Sequence, residues 1–129
     1  MSAMSDYLED AFLEHFCGVT STAAPAAIYL GLSTGSMGDD NSGTELSGNG
    51  YARQAITFAA ASGGSIVNNA AVEFPAATGS SWGSVSHWAI YDASTAGNQL
   101  FHGSFATAKT IAVGDILKVA ASSLTVTAA

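Results

Sequence analysis

The chain has 129 residues, of which Ala, Ser, Thr and Gly make up 67 and charged residues only 10%, with a net charge of −7 from ten acids against Arg53, Lys109 and Lys118. A chain of this length suffices for one domain with a core that needs no disulfide or metal staple. Three cations offer little to a phosphate backbone or an anionic bilayer, so neither nucleic acid nor membrane is expected as a partner.

No window reaches the roughly 18 to 20 apolar residues of a spanning helix. The first 17 residues carry acids where an export signal needs a basic start, so no such signal is expected. One cysteine, Cys17, excludes an internal disulfide and fits synthesis in a reducing cytoplasm. Small side chains pack backbones closely but bury little apolar area each, which points to stability shared with neighbouring subunits.

The first predicted element is a helix over Asp6–Cys17. Asp6 and Glu9 have the spacing of a capping box, with Ser5 as an alternative cap. Leu8, Phe12 and Phe16 form one apolar stripe that Leu13 widens, Glu9, Asp10 and Glu14 face elsewhere, and Gly18 suits a left-handed stop. Cys17 closes the stripe without a cationic neighbour, so a buried structural thiol is expected. The helix either docks on its own domain or serves as an arm on a partner. The division expected is an N-terminal helical arm over 1–18 and a β-sandwich domain over 19–129.

From Ala26 the apolar period changes to two, with Ile28, Leu30 and Leu32 on one face of a first strand. Residues 33–50 form a long acidic loop too rich in Gly, Ser and Asp to pack a core. Gly48 to Phe74 then gives two strand-like runs, Tyr51–Phe58 and Ile66–Phe74, joined by an Ala/Ser/Gly connection. Val85–Asp92 and Gln99–Ala106 flank a turn-like ASTAGN and predict a hairpin, with Trp88 and Ile90 on one face and His87, Ala89 and Tyr91 on the other. Two or three short strands follow, with turns at Gly114-Asp115 and Ala121-Ser122-Ser123. The fold class is mainly β: an antiparallel sandwich or barrel-like domain of seven to eight short strands with one N-terminal α-helix.

Chemistry-bearing patterns are weak. Asp39-x-Asn41-x-Gly43-x-Glu45 has alternate oxygens but departs from a calcium loop, so a solvated acidic loop is expected. His87 and His102 are close if the hairpin turns near Thr95, yet a zinc site needs further ligands. Asp92 beside His87 completes no nucleophile arrangement, and Glu73 has no carboxylate partner for glycoside hydrolysis. No catalytic residue, cofactor or metal is expected. Tyr51, Trp82 and Trp88 suit either core filling or a sugar-stacking platform.

Five strings carry a resemblance over nearly the whole chain: SDYLEDAFLEHF, AAIYLGLST, ELSGNGYARQAITFAAASGGSIVNNAAVEFPAAT, WGSVSHWAIYDASTAGNQLFHGSF and VGDILKVAASSLTVT. Together they resemble a family of small virion proteins of tailed bacteriophages, often labelled tail-fibre protein and similar to head decoration or cement proteins. The resemblance implies a non-enzymatic structural protein of the virion, assembled in the host bacterial cytoplasm. The sequence shows no repeat or coiled-coil shaft, which favours capsid decoration at the head surface over the alternative, a tail-fibre or tail-tip protein recognising a host glycan. A free-standing sugar-binding module is the further alternative. Expected partners are the major capsid protein or other virion proteins and further copies of the chain, a trimer being favoured. The candidate contact residues are Leu8, Phe12, Phe16, Asp39, Asp40, Glu45, Tyr51 and Trp82.

Overall fold

The computed structural model describes residues 2–128. Nine strands and one helix follow in the order β1 (Ser2–Met4), α1 (Asp6–Phe16), β2 (Ile28–Ser33), β3 (Gln54–Ile56), β4 (Ser65–Val67), β5 (Val72–Glu73), β6 (Gly83–Tyr91), β7 (Gln99–Ile111), β8 (Lys118–Val119) and β9 (Thr125–Thr127). The expected mainly β, antiparallel class with one helix is what the chain adopts, and the barrel-like form is not: the strands make open sheets. A five-stranded sheet runs β1-β7-β6-β2-β3, and two short ladders pair β4 with β9 and β5 with β8.

Alternation in β2 and β6 builds the core. Leu30 and Leu32 are fully buried, opposite Ile90 and Trp88 of β6. They pack with Val72, Phe74, Val119 and Val126 from the two ladders, so the main core lies between the large sheet and those ladders. The predicted hairpin is present, with β6 and β7 paired from Tyr91↔Gln99 to Gly83↔Ile111. The register shifts between Val85↔Lys109 and His87↔Ser104, leaving Ser86 opposite Phe105–Ala108. That bulge displaces the middle of β7 outward.

The other face of β6 carries a smaller cluster of Ala89, Tyr91 and Met37. Met37 comes from the acidic loop, which corrects the expectation that this loop packs no core. Its backbone is pinned by Gly43 N–H to Met37 O at 2.8 Å and Leu46 N–H to Leu32 O at 2.9 Å. Gly31 lets the loop approach: a Cβ there would lie 2.8 Å from Glu45 Oε2 and 2.9 Å from the Tyr91 ring.

The run Ile66–Phe74 is broken rather than continuous. Asn68, wholly buried, turns its amide Nδ2 to Ala70 O and Ala120 O, both at 2.9 Å, and accepts from Leu124 N–H at 2.9 Å. These bonds replace strand pairing and separate β4 from β5. The run Tyr51–Phe58 likewise contracts to Gln54–Ile56, with Phe58 bridging Asn68.

Candidate functional site

Ser5, not Asp6, caps α1: its Oγ accepts from Leu8 N–H at 3.2 Å. The same Oγ donates to Gln99 O, and Ser5 N–H donates to Leu100 O at 2.8 Å, so the cap also fastens the helix to β7. Asp6 N–H donates to Asp39 O at 2.8 Å. Ahead of the cap, β1 adds to the edge of β7 with Ala3 opposite His102. After α1, Gly18 turns in the left-handed region at φ +78°, as expected of a helix stop.

Beyond its first turn α1 is barely covered. It has no buried residue; Phe12 is 49% and Phe16 72% exposed, and Leu13 and Val19 stand out beside them. Leu8 is half-buried and, with Met4, Ile66, Phe101 and Val126, lines an apolar cleft of about 380 Å³ between helix and sheet. Cys17 is exposed, which corrects the expected buried thiol: Leu8 and Phe12 line the cleft, but the Phe16 end of the stripe lies beyond it in solvent. An isolated helix of 11 residues is marginal in water. Exposed apolar patches of this kind are a feature of interaction surfaces in general.

The acids of the loop are separated. Asp39 pairs with His102 Nε2 at 2.5 Å, Asp40 Oδ1 accepts from Ser42 N–H at 3.0 Å, and Glu45 turns inward. Ser42 holds the Asp40 carboxyl below its ordinary range. Among the described residues no three or more His, Cys, Asp or Glu gather as metal ligands. His102 stands opposite Ala89 and His87 opposite Ser104, so the two imidazoles are not cross-strand partners.

Glu45 is the centre of a clamp. Arg53 Nε lies 2.9 Å from Glu45 Oε2 and Arg53 Nη2 lies 2.7 Å from Oε1, a two-pronged pair. Arg53 Nη1 donates to Ala93 O at 2.9 Å and Ala96 O at 2.7 Å, and the guanidinium carbon sits 3.5 Å above the Tyr91 ring. Tyr51 donates its hydroxyl to Glu45 Oε2 while accepting from Leu32 N–H at 3.0 Å. Burial disfavours the Arg53 charge, and the Glu45 carboxylate more than offsets this. The clamp joins the acidic loop, β3 and the β6–β7 turn.

Burial first, then the Glu45 hydrogen bond, pushes the Tyr51 phenol far above its ordinary value. Burial and the Glu45 charge push Tyr91 up from 10.0 to about 12. A raised folded value means that the native state holds protons the unfolded chain releases. This contribution is complete below pH 10.0 and is lost as pH rises through about 12. Thermal melts at stepped alkaline pH are expected to fall from pH 10 upward, and Tyr91→Phe to flatten that fall.

Trp82 and Trp88 are buried, and Trp82 Nε1–H donates to Asn49 O at 2.9 Å. Tyr51 stacks on Phe74 with ring centroids 6.1 Å apart and meets Trp82 edge-on at 5.6 Å. These rings fill the core, and the sugar-stacking platform is withdrawn because no flat indole face is presented. Of the eight predicted contact residues, the fold brings Leu8, Phe12 and Phe16 together on α1. It places Asp39 and Asp40 near the start of the helix and commits Glu45, Tyr51 and Trp82 to internal contacts.

The family described as podophage GP4 fiber I protein gp80 matches residues 3–127. The chain belongs to this family. The match spans α1 and every strand from β2 to β9, so arm and sheets are parts of one family unit. No curated protein matches the chain. Membership makes it a structural protein of a phage virion, in agreement with the resemblance read from its sequence.

Tyr7 and Val19 are the part of the exposed surface that the predicted stripe, with Leu13 at its edge, omits. The signal for them is an excess: a helix of three turns carrying Tyr7, Leu8, Phe12, Leu13 and Phe16 has more apolar surface than one docked stripe can bury.

Proposed function

We propose that the chain is a fibre component of the virion, held to a neighbouring subunit by the outward face of α1. The observation that carries this reading is a helix capped and fastened at its first turn, yet with Phe12 and Phe16 in solvent. The fibre reading takes its support from the family's printed description as a fibre protein. Decoration of the capsid is the second reading, because the same arm fits an arrangement in which copies cross-brace a shell.

Large aromatic side chains desolvated at the centre of an interface commonly cost about 2 kcal/mol or more each when truncated. The double variant Phe12→Ser/Phe16→Ser is therefore expected to weaken docking by roughly a thousandfold. Phe12 also lines the cleft and packs on Phe16, so a thermal melt of the purified double variant is run beside the docking assay to separate lost docking from lost folding. The test counts copies per purified particle by quantitative mass spectrometry, with tails separated from heads. A handful of copies in the tail fraction, lost in the double variant, supports the fibre reading. Hundreds of copies on heads would replace it with decoration, and undiminished incorporation of the variant would end the docking role of α1.

A further inference from the structure

Among the described residues, the large apolar side chains left most exposed fall in two places. Tyr7, Phe12, Leu13, Phe16 and Val19 lie on α1 or just after it, whereas Val113 and Ile116 lie in the turn between β7 and β8. The two places differ in charge. α1 carries Asp6, Glu9, Asp10 and Glu14 with His15 alone at its end. The second is bracketed by Lys109 and Lys118, which line one small cleft together with Phe105 and Leu117.

Those lysines are two of the chain's three cations, and the third, Arg53, is engaged by Glu45. Two acids lie near them. Asp115 accepts from Ala112 N–H at 3.0 Å, and Glu73 stands opposite Lys118 in the β5–β8 ladder. Neither pairs with a lysine: the ion pairs among the described residues are Arg53–Glu45 and His102–Asp39.

The patches also sit at opposite ends of the longest strand. The cap of α1 is fastened at Gln99 and Leu100, and Lys109 lies near the far end of β7. At about 3.3 Å per residue, less the bulge, that separation is on the order of 25 Å. The two surfaces share no residue, and no α1 carboxylate pairs with either lysine within the chain.

We propose that α1 of one copy docks on the lysine-flanked β7–β8 turn of a second copy. The argument is charge complementarity. Two acidic helices facing one another on chains of net charge −7 would repel, whereas among the described residues the lysines outside any ion pair and beside exposed apolar side chains are at the other end. Such a head-to-tail contact leaves a donor surface and a receiving surface on every assembly, so it closes into a ring or extends as a filament. The inference rests on the reading of α1 as the docking element and names its partner.

The test is light scattering of the purified full chain over a range of concentration and salt. Glu9, Glu14, Lys109 and Lys118 are all exposed, and circular dichroism checks that each reversal keeps the fold, above all Lys118→Glu, which faces Glu73 across the β5–β8 ladder. The wild type is expected to self-associate, more weakly as salt rises. Lys109→Glu/Lys118→Glu is expected to weaken self-association roughly a hundredfold, and Glu9→Lys/Glu14→Lys likewise, since each brings like charges together. An equimolar mixture of the two restores assembly, because each then offers the charge the other lacks. A wild type that stays monomeric at high-micromolar concentration overturns the inference, as does association unmoved by either reversal. If the chain is monomeric while Phe12→Ser/Phe16→Ser still loses its place on particles, the partner named here is wrong and the docking role of α1 stands.

Discussion

Arg53→Ala is expected to destabilise the fold by about 3 to 5 kcal/mol, the cost of stranding one member of a largely buried ion pair. The Arg53 side chain is 8% exposed and that of Glu45 21%, so solvent replaces only part of what the lost partner supplied. The substitution also removes the donors to Ala93 O and Ala96 O and the cation over the Tyr91 ring. For a domain of this size each kcal/mol moves the melting temperature by about 4 °C, so a fall of more than about 10 °C is expected in calorimetry. Arg53→Lys should recover only part of it. An ammonium cannot bond both carboxylate oxygens and both turn carbonyls while lying flat on a phenol ring. A melting temperature within about 4 °C of the wild type would show that the clamp is dispensable.

The second large effect is expected at Asn68. Its side chain satisfies Ala70 O, Ala120 O and the Leu124 N–H, and its backbone bonds Ser122 N–H and Leu124 O as well. Asn68→Ala leaves Ala70 O and Leu124 N–H without partners, while Ala120 O keeps the Ser123 N–H and hydroxyl; at about 1 kcal/mol or more each, a loss near 2 kcal/mol is expected. Asn68→Asp should do no better, since a carboxylate accepts from Leu124 but faces two carbonyl oxygens with nothing to donate. Urea unfolding measures both, with the midpoint falling at unchanged slope. Amide exchange is expected to accelerate first in Ser65–Val67 and Thr125–Thr127, the strands that Asn68 holds in register.

What these two residues do could not be read along the chain. Asn68 is one of two adjacent asparagines between two apolar runs, and two of its three side-chain partners lie more than 50 positions away. Its amide breaks a run that periodicity alone predicts as continuous. Glu45 looks like one acid among several in a soluble loop until Arg53 and Tyr51 close around it. Met37 is in the same position: only the packing of the loop on Ala89 and Tyr91 makes it a core residue.

Local patterns, by contrast, were legible. The period-two run of Ile28, Leu30 and Leu32 places β2, because alternate side chains on a pleated strand must share a face. The ASTAGN turn between two alternating runs places the β6–β7 hairpin. The stripe of Leu8, Phe12 and Phe16 places α1, with Gly18 as its stop. Those residues were also the legible part of the candidate interface, since an apolar stripe marks a contact face wherever the partner lies.

Sequence by itself determined α1, β2, the β6–β7 hairpin, the mainly β class and the low charge, because each is written in neighbours a few residues apart. Only the tertiary structure decided whether the helix stripe turns inward or outward. That choice depends on what surface the folded sheets leave for it, and they cover Leu8 while leaving Phe12, Phe16 and Cys17 in water.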